Sequence, residues 1–335
     1  MITRSRIFIT SCVAALALAA LATVGVIVHG GSDKGRYDDR AGMSDENRFV
    51  ETFLELSRDV SDRNITHLDL VRSYRFHLAV QLATDPSLTA GQRNLVLDTI
   101  ENANPQVVAK SGDKSGGQLM ELLKPNQEAL NTEFSDSDRD IFKLAPLNKQ
   151  QMEMLATYKQ VTASPYEYRR RDVFRSLSPA GKSQAFIGHI CMEIATRELN
   201  RDQLELLSRA AETATPELYR KRGDKVPNDL ERFRETAGRI FPKSVAADVF
   251  ASMEGMAGKP IPERDAVLGV AKGGLAAFDA PNCSCSTESD YCGYSKKGAV
   301  CGGQAASCGY QYGGCGTLWR YDCDSMCFGG DLEIS

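Results

Sequence analysis

The sequence has few of the features that announce chemistry. It carries no nucleophile elbow, no His-Glu-x-x-His helix, no phosphate loop and no dinucleotide fingerprint, so the motif-borne enzyme classes have no residues to start from. Basic residues do not outnumber acidic ones, and 40 Lys and Arg against 44 Asp and Glu leave a net charge of −4. A nucleic-acid partner would require a basic stripe, and none is visible. Long β-branched runs are scarce in the middle of the chain. Paired Cys-x2-Cys knuckles and histidines are missing from its cysteine-rich end, which excludes the usual zinc ligand sets there. Tryptophan occurs once, at position 319. What remains is ordinary globular composition, 42% hydrophobic and 25% charged, in a chain of 335 residues that is long enough for two domains.

The first positive signal is export. Arg4 and Arg6 precede a nearly charge-free apolar run from Ile7 to Val28, the pattern of a secretory signal. Ala20-Leu21-Ala22 offers small-x-small cleavage after Ala22, yet apolar residues continue past it. Residues 1–31 are therefore read as a signal peptide or a retained membrane anchor. Cys12 follows "ITS" as in a lipoprotein box, but it precedes most of the apolar run instead of following it. A secreted or cell-envelope location is oxidising, and there paired cysteines are bridged rather than metal-bound or catalytic. The chain is expected to touch its own membrane only through this N-terminal segment.

Residues 43–269 are rich in Leu, Ala, Arg, Glu and Gln at helical spacing, which predicts an all-α domain. Within it a unit recurs. "LTAGQRNLVLDTIENANP" at 88–105 aligns with "LNRDQLELLSRAAETATP" at 199–216, and "LNKQQMEMLATYKQVTASP" at 147–165 aligns with one extra residue. Thr89, Asn148 and Asn200 are good N-caps with Gln92, Gln151 and Gln203 three residues on, as a capping box requires. Each helix should stop before Pro105, Pro165 or Pro216. Upstream, "HLAVQLATDPSL" at 77–88 parallels "HICMEIATREL" at 189–199, so the domain reads as built from repeated helical hairpins. His77 with Gln81, and His189 with Glu193, share a helix face and could be metal ligands; a repeated packing position accounts for the same pattern. Ser178-Pro179 is an N-cap with proline at the first helical position. Cys191, between apolar neighbours, reads as a buried small hydrophobe rather than a nucleophile.

Residues 255–282 mix Gly, Ala and Pro without amphipathic period and serve as a linker, most clearly over 270–282. Gly273-Gly274 resembles a double-glycine processing site, and Ala280 sits where a cut would free the tail. From there the chemistry changes. Eight of the ten cysteines lie at 283, 285, 292, 301, 308, 315, 323 and 327. All can pair, in any of 105 ways. A tail with so few aliphatic residues cannot bury enough surface alone, and four bridges at roughly 2–4 kcal/mol each would dominate its stability. Tyr291, Tyr294, Tyr310, Tyr312, Trp319, Tyr321 and Phe328 crowd into the same stretch, and in so small a fold several of them must be exposed. Exposed aromatics suit a membrane interface, a sugar face or a protein partner. The net charge of the tail, −3 from three cations and six acids, disfavours a cationic lipid-binding peptide.

The opening "NCSCSTESDYC" and the later "GCGTLWRYDC" carry a resemblance. The tail, over the 46 residues from Cys283 to Phe328, resembles the bacteriocin fulvocin C-related proteins. That resemblance implies an exported precursor, with the helical region as pro-domain and the tail as an antimicrobial peptide freed near Ala280. Its partners would be a target-cell envelope or surface receptor, a processing protease and a disulfide oxidase. Tyr291, Tyr310, Tyr312, Trp319, Tyr321 and Phe328 are the candidate target contacts. The alternative is an uncut envelope or secreted protein whose tail binds a glycan or partner.

The expected architecture is thus a mostly α chain: an N-terminal signal or anchor helix, repeated hairpins over 43–269, a linker, and a small disulfide-rich module at 283–335. No enzyme activity, catalytic residue, cofactor, metal or nucleic-acid partner is expected.

Overall fold

In a computed structural model of the protein, the structure describes residues 66–104, 123–143, 147–164, 166–220, 228–253, 283–295, 297–302 and 308–328. The leader with Ala22, and the linker with Gly274 and Ala280, lie outside the described residues. Among the described residues no helix is long and apolar enough to cross a membrane.

Six helices of the body begin at a residue whose side chain caps them. Thr66 opens α1 (His67–Thr84), its hydroxyl accepting from the backbone N of Asp69 at 3.1 Å. All three expected capping boxes form: Thr89 with Gln92 at α2 (Ala90–Asn102), Asn148 with Gln151 at α4 (Lys149–Thr162), and Asn200 with Gln203 at α7 (Arg201–Thr213). In each, side chain and backbone satisfy two otherwise orphaned N–H groups. Between them lie α3 (Gln127–Glu133), a 3-10 helix (Asp138–Phe142), α5 (Glu167–Ser176) and α6 (Pro179–Thr196), the last opened by Ser178 with Pro179 at its first position. Pro216 stops α7 and also starts the next helix, α8 (Pro216–Arg220), where its missing N–H costs nothing. The body closes with α9 (Asn228–Ile240) and α10 (Lys243–Ala251).

The central helix is α6, packed against α4, α1, α8 and α7. Phe186, Ile190, Cys191, Met192 and Ile194 bury its length in the core. Gly188 allows a close crossing, because a Cβ there would stand 2.8 Å from Cβ of Tyr158 on α4. Across the body, Arg93 of α2 pairs with Glu212 of α7, and Arg201 of α7 reaches back to Asp98 at 2.6 Å and to Asn94 Oδ1 at 2.8 Å. Arg93, the first residue after the capping box of α2, is thus used as a strap.

Among its described residues the cysteine-rich region holds four short strands, one α-helical turn, α11 (Cys292–Ser295), and a 3-10 turn (Thr317–Trp319). Strand β1 (Val300–Cys301) pairs antiparallel with β4 (Cys327–Phe328), and β2 (Gln311–Cys315) with β3 (Tyr321–Cys323), the latter register slipping between Gln311 and Cys315. Disulfides join Cys283 to Cys308, Cys285 to Cys301, Cys292 to Cys327 and Cys315 to Cys323. Asp290 ties this framework together: its carboxylate accepts from Cys292 N at 2.7 Å and Cys301 N at 2.9 Å.

The sequence suggests that bridges alone make up for the missing apolar core of this region. They do not act alone. Tyr291, Leu318, Trp319 and Tyr321 belong to the same buried cluster as the helices, so the helical body supplies the burial that the small region lacks.

Candidate functional site

The two parts meet around a short 3-10 turn, Thr317–Trp319, between β2 and β3. Its backbone is unusual: Leu318 (φ 57°) and Trp319 (φ 53°) are consecutive left-handed residues, and neither is glycine. Each such residue costs roughly 1–2 kcal/mol, so the surroundings must hold it. They do so from both sides. Within the tail, Thr317 N donates to Ser289 Oγ at 3.0 Å, Tyr291 Oη and Thr317 Oγ1 share a hydrogen bond at 3.1 Å, and Trp319 N donates to Gly316 O at 3.0 Å. Gly316 itself has φ 65°, and a Cβ there would stand 2.8 Å from the Tyr321 ring; only glycine fits.

The body provides the other half of the grip. Trp319 is 1% exposed, and its indole Nε1 donates to Ala251 O at the end of α10, 2.8 Å away. Phe174 of α5 meets its ring edge-on, centroids 5.2 Å apart at 85°, a favoured aromatic arrangement. Tyr219 of α8 donates its hydroxyl to Leu318 O at 3.1 Å. Further along the seam, Arg175 Nε donates to Gly313 O at 3.0 Å and Arg234 of α9 donates to Asp290 O at 3.3 Å. The absence of a side chain at Gly238 makes room for Tyr294, whose ring carbon Cζ would stand 3.1 Å from a Cβ there.

Beside this seam opens a cleft of about 480 Å³ lined from both parts. The body contributes Phe174, Arg175, Lys182 and Tyr219; the tail contributes Tyr310 to Gly313, Trp319, Arg320 and Asp322. Asp322 organises its outer wall, accepting from Gly313 N at 2.7 Å and from the Tyr310 hydroxyl. That hydrogen bond, with smaller contributions from burial and the charge of Asp322, pushes the Tyr310 phenol up to about 12, so it stays a donor at neutral pH. The rings of Tyr310 and Tyr312 stand edge to face, 5.0 Å apart at 82°.

The six aromatic residues expected to contact a target therefore divide. Tyr310, Tyr312 and Phe328 are exposed, by 51%, 67% and 41%. Tyr291, Trp319 and Tyr321 are not; they are buried because the helices offer them an apolar surface that the tail cannot. Val300, the cross-strand partner of Phe328, is exposed as well. The body residues of the cleft, Arg175, Lys182 and Tyr219, were not among the sequence-based candidates, since nothing in a helical pattern distinguishes them. Arg320 lies between Trp319 and Tyr321, and Asp322 follows them; that adjacency was the only available hint.

The two histidines weighed as metal ligands lie apart from this site. His77 Nε2 donates to Ile141 O at 2.9 Å, and His189 Nε2 donates to Val249 O at 3.0 Å. Both are buried, and burial holds both rings below the usual histidine range. Each fastens a central helix to a later segment. Cys191 is also fully buried, which pushes its thiol up and leaves it a poor nucleophile. The sulfurs of Cys285, Cys292 and Cys301 lie within 4.8 Å of one another, but all three are bridged and present no thiolate to a metal. Set against known proteins, the chain matches no family model, no curated protein and no solved structure.

Proposed function

We propose that the chain is an exported precursor in which the helical body holds a disulfide-rich, bacteriocin-like tail with its aromatic face covered. The observation behind this reading is the burial of Trp319: the sole tryptophan, on a left-handed turn, is gripped by Phe174, Tyr219 and Ala251 of the body. A tail parted from the body would lose those partners. The roughly 1–2 kcal/mol stored at each left-handed residue would then favour rearrangement of the turn, uncovering Trp319, Tyr291 and Tyr321 for a target envelope. In this reading the body acts as pro-domain, guiding the bridges and keeping the peptide inactive until a protease cuts near Ala280. The body is itself a duplicated hairpin, an inference supported by the matching capping boxes of α2 and α7 and the matching carbonyl bonds of His77 and His189. No residue is assigned a catalytic role.

The test is the intact mass and N-terminal sequence of the native protein, taken from envelope and culture fluid separately without reduction. A free fragment beginning near Ala280, carrying four bridges and killing sensitive cells, is the expected result. Full-length chain alone, held in the envelope, would overturn the precursor reading.

A second reading rests on a different observation. Tyr310, Tyr312, Phe328 and Val300 are exposed while the tail is docked, so an uncut secreted or envelope protein would already present a binding surface, and the cleft exists only while the two parts stay together.

A further inference from the structure

The cleft at the seam has no charge left over to select an ion. Arg175, Lys182 and Arg320 line it together with Asp322, but the cations are engaged within the protein. Arg175 pairs with Asp172 at 2.7 Å and gives its Nε to Gly313 O. Lys182 holds its ammonium 5.8 Å from the centre of the Phe174 ring, and both it and Arg320 have partners in the chain. An anion would find these charges already matched and the Asp322 carboxylate beside it. A cation would meet three like charges. The lining opposes both, and a neutral ligand is the one it does not oppose.

What the cleft offers is an acceptor beside exposed rings. Asp322 accepts from Gly313 N through Oδ1 and from the Tyr310 hydroxyl through Oδ2. A carboxylate has roughly four lone-pair sites, so each oxygen keeps room for another donor. Tyr310 and Tyr312 meet edge to face, a contact that covers at most one side of a ring, and Tyr312 is 67% exposed. A fitting ligand must therefore carry donors next to an apolar surface. A pyranose does so: vicinal equatorial hydroxyls donate side by side along its edge, and its axial C–H groups form a face that packs on an aromatic ring. The volume of about 480 Å³ falls in the range of small-ligand sites, roughly 300–1,000 Å³.

We propose that this cleft binds a neutral saccharide, with a pyranose face on Tyr312 and vicinal hydroxyls donating to Asp322. This rests on the uncut reading and names its ligand. The two fail differently: a free tail as the only form in the native producer would remove the uncut reading, whereas an intact chain that ignores neutral sugars would remove the ligand alone.

The oxidised full-length chain would be titrated by calorimetry with cellotetraose, with the anionic glucuronate tetramer of the same linkage, and with the cationic glucosamine tetramer, in low and in moderate salt. The expected result is a saturable heat with cellotetraose, unchanged between the two salt levels because no net charge is there to be screened. Neither charged tetramer should bind tighter. Because its ring stands largely in solvent, Tyr312→Ala should leave the melting temperature unchanged while weakening binding roughly two- to tenfold. Tyr312→Phe, which keeps the ring, should retain it. Asp322→Asn should weaken binding about tenfold, since hydrogen bonds to a charged acceptor are the stronger ones. Tighter binding of either charged tetramer would overturn the proposal. So would binding untouched by Tyr312→Ala, or the absence of any saturable heat with cellotetraose.

Discussion

The helical body and the cysteine-rich tail solve the same stability problem by opposite means. The body buries long apolar stripes around α6 and caps its helices with side chains. The tail has almost no aliphatic core; it is held by four bridges, by Asp290 and Asp322 accepting from its backbone, and by glycines at φ values that other residues avoid. The difference is instructive at the seam. Where the tail runs out of apolar surface of its own, it inserts Leu318 and Trp319 into the core of the body, and the two solutions become one.

The largest effect should follow removal of the bridges. At roughly 2–4 kcal/mol each, reduction should unfold the tail while the helices persist; circular dichroism would retain the helical signal as proteases begin to cut after position 282. Concerted loss of helix on reduction would mean that the body depends on the tail as much as the tail on the body. Next comes Trp319→Ala, expected to cost about 3–5 kcal/mol and to be felt on both sides of the seam, as increased proteolysis of the tail and a lower melting temperature for the helices. Should only the tail respond, the shared core would be less cooperative than its packing implies.

Smaller effects should stay within the body. Gly188→Ala places a methyl group against Tyr158 and should cost about 1–3 kcal/mol by overpacking, with the Trp319 fluorescence unchanged until the chain melts. The histidines give the gentlest test. Burial holds His77 and His189 below their ordinary 6.5, so the unfolded chain binds protons there that the native chain resists. Their contribution is therefore fully present above pH 6.5 and declines as pH falls below it. The double variant His77→Gln, His189→Gln, which keeps an N–H for each carbonyl, should flatten that decline in chemical-denaturation curves.

Much of the body was legible residue by residue. A capping box needs only two side chains three positions apart, so Thr89–Gln92, Asn148–Gln151 and Asn200–Gln203 announced their helices. The cysteine count and the expectation of an oxidising compartment made bridges the expected state of the tail, but which cysteines pair depends on how distant strands meet. The aromatic residues were the least legible. Tyr312 and Trp319 lie seven positions apart in equally polar, glycine-rich sequence, yet one is exposed and the other is sealed against Phe174 and Ala251. Burial there is decided by a surface on another part of the chain.

Local signals, acting over three or four residues, determined the helices, their starts and stops, and the disulfide character of the tail, because capping, periodicity and cysteine chemistry need no distant partner. Only the tertiary structure decided the pairing of the cysteines, the left-handed turn at Leu318-Trp319 and the cleft lined from both parts. Each of these arises from groups far apart in sequence, and Arg175 meets Gly313 only because burial of Trp319 brings the tail up against the body.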